Sequence, residues 1–248
     1  MLTTRTENLA EGVTLHLGDC REILPTLARA PAMITDPPYG VNIGAHKALR
    51  DNRPHLLRKG GYESYDDTPE NFDAIIVPAL TLALDRVERG AIFTAGSKLG
   101  KLPEPAAIGG IYTPAGTGRN AWGFTCFHAI ALFGICPTLR HGARKAALQS
   151  SEAAQPNGHP VPKPIGWMRW LVNLASVQGE TVLDPFMGSG TTGVACIEMG
   201  RKFVGIEIDP GYFDIACRRI GDALKQPDMF IEKPARARPA ELDLATGS

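Results

Sequence analysis

Two short polar runs, each following an apolar stretch of strand length, constrain the fold of this chain more than any other feature. The first is Thr35-Asp36-Pro37-Pro38-Tyr39-Gly40 after Pro31–Ile34, and the second is Asp184-Pro185-Phe186-Met187-Gly188-Ser189-Gly190-Thr191-Thr192 after Thr181–Leu183. Their proline and glycine content suits the end of a strand and not its interior, so each run is expected to cap the carboxyl end of a buried parallel strand. Open α/β sheets bind ligands at those ends. One crevice served by both runs requires that two strands far apart in the chain come together.

The pattern between the runs is consistent with such a sheet. Val13–Leu17, Ala32–Thr35 and Ala91–Thr94 read as strands, with Glu70–Glu88 patterned as a helix that Pro78 should kink. His128–Gly134 is a further apolar run of strand length. Pro164 opens an amphipathic helix carrying Ile165, Trp167, Met168, Leu171, Val172 and Leu174. Strand Thr181–Asp184, helix Thr191–Met199, strand Lys202–Ile208 and helix Gly211–Leu224 complete a βαβα order. The expected fold class is α/β, a doubly wound, Rossmann-like and mostly parallel sheet. A single domain over 1–225 accounts for the chain of 248 residues at 44% hydrophobic content. Segments at about 41–65 and 97–160 are irregular and basic, with His46–Tyr65 and Thr138–His159 the hardest to assign. The tail 226–248, interrupted by Pro227, Pro234 and Pro239, is expected to be poorly ordered.

Composition excludes several classes. No apolar stretch approaches the ~20 residues of a membrane helix, and Met1–Glu11 lacks the halves of a secretion signal. A cytoplasmic protein is expected, without a membrane partner. Five cysteines, Cys20, Cys126, Cys136, Cys196 and Cys217, form no Cys-x-x-Cys pair, so neither a disulfide framework nor a zinc site is indicated and no metal is expected. A net charge of zero argues against a nucleic-acid partner, but the distribution reverses that inference. Val41–Gly60 carries +4 from Lys47, Arg50, Arg53, Arg58 and Lys59 against Asp51, and Ser97–Lys163 carries +5. Positive charge is thus concentrated in the two irregular segments.

The chemistry follows from the residue types. Glycines at 188 and 190, after a strand and before a helix, let backbone approach a ligand closely and turn a helix amino terminus toward an anionic group. Gly193 completes Gly-x-Gly-x-x-Gly, and Glu207, at the end of the next strand, can accept from two ribose hydroxyls. These features suit NAD and S-adenosylmethionine alike. The first run favours the latter. The Asp36 carboxylate and the Pro37 carbonyl can both accept from one NH₂ group while Pro37 and Pro38 hold the segment rigid, and Tyr39 can stack on an extruded base. An aromatic amine is a poor nucleophile, and acceptors that favour pyramidal nitrogen would expose its lone pair and stabilise the developing positive charge.

On these residues the chain resembles the β-class amino-methyltransferases of DNA, in which the catalytic run precedes the cofactor run in a circularly permuted order. The resemblance rests on Leu17-Gly18-Asp19-Cys20, Thr35–Gly40, His159-Pro160-x-x-Lys163-Pro164, Asp184–Thr191 and Gly205-Ile206-Glu207-Ile208-Asp209, in family order. Trp122–Pro137 is similar to the corresponding segment of small phage-type or bacterial members. It implies S-adenosylmethionine as cofactor and a site-specific, base-flipping DNA methyltransferase of the kind found in restriction-modification. Asp36, Pro37, Pro38 and Tyr39 would form the catalytic pocket. Phe186, Gly188, Ser189, Gly190, Thr191 and Thr192 would surround the methionine portion of the cofactor, Glu207 its ribose, and Asp19 with Cys20 its adenine edge. Lys163 would lie near the cofactor carboxylate or be a solvated lysine at a helix start. Asp184 would contact the cofactor ammonium or cap its loop, and His159 would orient the turn before the helix. Asp before Pro-Pro-Tyr implies adenine N6 as the target, with cytosine N4 the alternative. Double-stranded DNA is the implied partner, with a homodimer and a cognate restriction endonuclease as further partners. Arg50, Arg53, Arg58 and Lys59 would track phosphates, and Arg119, Arg140, Arg144 and Lys145 would contact phosphates or base edges. Other readings are an NAD-dependent oxidoreductase, an inactive nucleic-acid-binding homologue, and an enzyme acting on RNA or on a protein amide.

Overall fold

The computed structural model describes residues 4–41, 65–120, 122–139, 142, 144–155 and 163–226. The basic residues Lys47, Arg50, Arg53, Arg58, Lys59 and Arg140, with His159, Pro160, most of His46–Tyr65 and the tail from Pro227, lie outside the described residues, as does the side chain of Arg119.

In chain order the strands are β1 (Arg5–Ala10), β2 (Val13–Leu17), β3 (Ala30–Thr35), β4 (Val87–Thr94), β5 (Ala107–Tyr112), β6 (Arg119–Asn120), β7 (Gly123–Phe124), β8 (Phe127–Phe133), β9 (Ala147–Gln149), β10 (Thr181–Asp184) and β11 (Lys202–Glu207). The main helices are α1 (Cys20–Ile23), α2 (Val77–Leu84), α3 (Ile165–Ala175), α4 (Thr191–Glu198) and α5 (Pro210–Leu224). A nine-stranded sheet runs β1-β2-β11-β10-β3-β4-β8-β5-β9, and β6 pairs with β7 apart from it. The five strands from β2 to β4 in that order are mutually parallel.

Alternation along these strands builds two cores. Ala32, Ile34, Val182 and Phe93 point to one face, where Trp167, Met168 and Leu171 of α3 and Phe213, Ala216 and Ile220 of α5 cover them. Met33, Leu183 and Ile92 point to the other, against Phe72, Ile76, Leu80 and Ala83. A sheet covered on both faces needs apolar residues at consecutive positions, which is why the parallel strands read as continuous apolar runs. The doubly wound reading therefore holds for this half of the sheet.

The other half departs from the sequence reading. β8 is antiparallel to β4, β5 is antiparallel to β8, and β9 runs parallel to β5 within the segment read as irregular. Gly109 and Gly110 interrupt any apolar period in β5, yet a Cβ at Gly110 would sit 2.2 Å from the Phe127 ring, so the strand exists because its neighbour needs that space. β1 is an edge strand of largely polar sequence, paired antiparallel to β2 through a tight turn. The helical stretch spans Pro69–Leu84 and not Glu70–Glu88, since Val87 and Glu88 open β4. Its distortion is a π-helical turn over Phe72–Ile76, ahead of Pro78, whose missing N–H cannot complete the ladder there.

Candidate active site

The two polar runs leave the sheet side by side. Strands β10 and β3 pair in parallel, Val182 with Ala32 and Leu183 with Met33, and one further hydrogen bond joins the runs themselves. The Thr35 hydroxyl donates to Asp184 Oδ1 at 2.7 Å. Asp184 also accepts from the Thr192 hydroxyl on Oδ2 at 2.6 Å and from the Phe186 N–H on Oδ1 at 3.1 Å. The carboxyl is buried, and burial pushes its pKa up to about 6 against these hydrogen bonds. Of the two expected roles for Asp184, loop capping is the one seen. Thr192, expected to face a cofactor, spends its hydroxyl on Asp184, although its side of the loop still lines a cleft.

Past Asp184 the chain turns tightly before α4. Gly188 and Gly190 have φ of 53° and 79°, left-handed conformations that L side chains rarely adopt. The Gly188 N–H donates to Glu207 Oε2 at 2.8 Å, and the Asp209 N–H donates to Oε1 at 2.9 Å. Glu207 thus ties the Gly loop to the end of β11, and its burial raises the carboxyl to about 7. Gly190 serves a different end from the one expected of it. A Cβ there would lie 3.0 Å from that of Ala216, so this glycine lets α4 start against α5 and lines neither cleft. Arg219 of α5, which sequence reasoning missed, donates to the Ser189 carbonyl at 2.5 Å and to the Ser189 and Thr191 hydroxyls at 3.2 Å, holding the loop from behind.

Two adjoining clefts open at this edge. The larger is lined by Gly18, Asp19, Cys20, Ile76, Glu207 and Ile208, among others. The smaller is lined by Lys163, Met168, Ser189, Thr191 and Thr192. Asp36, Phe186 and Gly188 line both. In the larger cleft Asp19 caps α1 by accepting the Arg21 N–H at 2.8 Å, and its hydrogen-bonded pairing with the Arg21 guanidinium lowers the carboxyl pKa. Cys20 is pushed up to about 12 by burial, so it contributes a neutral wall.

The carboxylate common to both clefts is held at each oxygen. The Tyr39 hydroxyl donates to Asp36 Oδ1 at 2.5 Å, and Lys163 Nζ donates to Oδ2 at 2.5 Å. The Lys163 ammonium also stands 5.6 Å from the Tyr39 ring centroid and 5.2 Å from that of Phe93. Of the first run, Asp36 and Pro38 line the larger cleft, whereas Tyr39 reaches the site through its hydroxyl. Asp67 anchors the end of the run, accepting the Gly40 N–H at 2.6 Å and the Val41 N–H at 3.2 Å. Nothing in the sequence around Asp67 marks it for this task. Ile75 and Ile76, also unforeseen, reach the larger cleft from the π-helical turn. Of the basic residues expected to meet nucleic acid, Lys145 is exposed and Arg144 half-buried.

Residues 117–218 match the family model described as DNA methylase. The match takes in Lys163, the Asp184–Thr192 run and Glu207, and stops short of Asp36 on the amino-terminal side. The chain is 45% identical over 62 residues to the DNA adenine methyltransferase YhdJ of Escherichia coli strain K12, a stretch covering 25% of this chain and 21% of that protein. The chain spans about a quarter or less of the length of the curated relatives it matches. Likeness of fold extends further. The structure of M1.HpyAVI in complex with SAM superposes with a TM-score of 0.59 at 19% identity, covering 83% of this chain and 98% of that one. The cytosine-N4-specific PvuII DNA methyltransferase superposes with a TM-score of 0.57 at 14% identity, covering 86% of this chain and 91% of that one. The likeness of fold thus spans most of this chain.

Proposed function

We propose that this protein transfers a methyl group from S-adenosylmethionine to the exocyclic amino group of a base in double-stranded DNA, with adenine N6 as the target. The single observation that carries the reading is that Asp36 belongs to both clefts, while Thr35 and Asp184 bond the two runs together.

The residues present fit the cofactor. A carboxylate at Glu207 for ribose hydroxyls, apolar walls at Ile76, Phe186 and Ile208 with Asp19 at one edge, and hydroxyls with an ammonium in the smaller cleft match an adenosine joined to an amino acid. Bound there, S-adenosylmethionine supplies an electrophilic methyl on a sulfonium. The chain's part is to deliver the nucleophile. Asp36 and the Pro37 carbonyl accept hydrogens from the base amino group, expose its lone pair, and oppose the positive charge that develops on nitrogen. Asp36 is also the acceptor beside the proton that nitrogen must lose. Tyr39 fixes Asp36 through its hydroxyl and offers a ring face to the extruded base. No side chain needs to bond the substrate covalently.

Asp ahead of Pro-Pro-Tyr favours adenine, as does the likeness to the Escherichia coli DNA adenine methyltransferase. The nicotinamide alternative has less support. It gives no part to Asp36, which lines both clefts. Incubating the purified protein with labelled S-adenosylmethionine and unmethylated DNA, then digesting to nucleosides, should yield labelled N6-methyldeoxyadenosine. Label in N4-methyldeoxycytidine would move the target, and label in neither would reject the proposal.

A further inference from the structure

Both oxygens of Asp36 are occupied before any base arrives. Tyr39, three residues along the chain, can hold Oδ1 throughout, because a hydroxyl turns without leaving its place. Oδ2 is different. It is bound by an ammonium at 2.5 Å that comes from Lys163, 127 residues further along, at the start of α3. That ammonium offers three donors and no acceptor, so while it is seated a base amino group must compete with it for Oδ2. Lys163 also lines the smaller cleft beside Ser189, Thr191 and Thr192, on the side away from Asp19 and Cys20. Its side chain is only 12% exposed and that of Asp36 23%, so the pair is neither fully solvated nor locked into the core. The ammonium faces the rings of Tyr39 and Phe93, and rings tolerate a shift of a cation across their faces better than a fixed ion pair would. One cation therefore stands between two anionic claims, the Asp36 carboxylate and whatever carboxylate enters the smaller cleft.

We propose that Lys163 is a positioning residue that couples the two halves of the site: it competes with the base for Asp36 until the carboxylate of the cofactor's amino-acid tail draws the ammonium away. This rests on the methyltransferase reading and goes beyond it by assigning an order. The cofactor loads first, and the base then meets Oδ2 without the ammonium in competition. The same competition means that Asp36 weakens cofactor binding, since the ammonium must leave one carboxylate to meet the other. The coupling is reciprocal.

The test uses two neutral thioethers that differ in the amino-acid tail, S-adenosylhomocysteine and 5′-methylthioadenosine, titrated calorimetrically into the full chain. Because 5′-methylthioadenosine lacks the tail, its affinity reports whether each variant keeps a folded adenosine cleft. Lys163→Met should weaken S-adenosylhomocysteine by about tenfold and leave 5′-methylthioadenosine unchanged, with Lys163→Arg restoring most of the difference. Asp36→Asn should tighten S-adenosylhomocysteine several-fold with 5′-methylthioadenosine unchanged, and Lys163→Met should cost more in the Asp36→Asn background than in the wild type. Asp36→Asn that leaves S-adenosylhomocysteine affinity unchanged or weaker, or an unaltered Lys163→Met effect in that background, would overturn the coupling. Failure of both thioethers to bind the wild-type chain would instead reject the methyltransferase reading itself.

Discussion

Two aspartates at the ends of neighbouring strands have opposite fates. Asp184 is buried and accepts three hydrogen bonds from groups of the fold, the Thr35 and Thr192 hydroxyls and the Phe186 N–H. Asp36, reached from the adjoining strand, is partly exposed, lines both clefts, and is held by a tyrosine hydroxyl and a lysine that has another cleft to serve. On the proposed function, the same side chain at nearly the same place is a keystone in one case and the acceptor that meets the base in the other. What separates them is the number of fixed donors each meets and the access of solvent. A buried carboxylate that accepts three bonds from the fold has less capacity left for a substrate than one that is partly exposed.

The comparison is broken most sharply by removing each aspartate in turn. Asp36→Ala should lower methyl transfer by at least about 100-fold, the scale for losing one group that stabilises transition-state charge, while the urea midpoint stays close to wild type. Methyl incorporation and denaturation measured on one preparation check both halves. Asp184→Ala should do the reverse, costing about 3 kcal/mol of stability because buried hydroxyls and an N–H lose their acceptor. Denaturation at matched pH would read it, and an unchanged midpoint would show that Asp184 is not a keystone.

Acidity sharpens the contrast further. Burial lifts Asp184 to about 6 and Glu207 to about 7, so the folded chain keeps protons that the unfolded chain has already released. Unfolded carboxyls titrate near ~4, hence these two groups favour folding at low pH and their contribution is lost as pH rises from about 4 through 7. Glu207→Gln should flatten the fall in melting temperature between pH 5 and pH 7.5, by the equivalent of on the order of 1–3 kcal/mol. Wild-type and variant profiles that run parallel would count against a buried, proton-holding Glu207. The smallest effect is expected at Gly190→Ala. A left-handed φ and a Cβ pressed on Ala216 should cost about 1–2 kcal/mol without altering the clefts, so a loss of cofactor affinity larger than the loss of stability would mean Gly190 touches the ligand after all.

The site was legible in the sequence where chemistry and local geometry coincide. Asp36, Phe186, Gly188 and Glu207 stand beside strand ends that apolar runs reveal, and strand pairing then brings the two runs together. Groups that act through tertiary contact left no such mark. Arg219 lies mid-helix on an amphipathic α5, and Asp67 precedes a helix start, so neither differs locally from a solvated charge. The parallel half of the sheet announced itself because strands buried on both faces are apolar throughout. The antiparallel half did not, since β5 trades side chains for glycines to admit Phe127 and β9 is three residues long. Lys163 was visible as a residue near a cofactor, but its bond to Asp36 depends on how α3 packs beside β3 and β4.

The central claim is that the runs around Asp36 and Asp184 form one site in which a methyl donor meets an amino group. A crystal structure of the full chain with S-adenosylhomocysteine tests it most directly. The account predicts adenosine in the cleft of Asp19 and Glu207, the amino-acid tail beside Ser189 and Thr191, and the sulfur facing Asp36 with the Thr35–Asp184 hydrogen bond intact. Sulfur turned away from Asp36, or ligand bound outside these clefts, would contradict it.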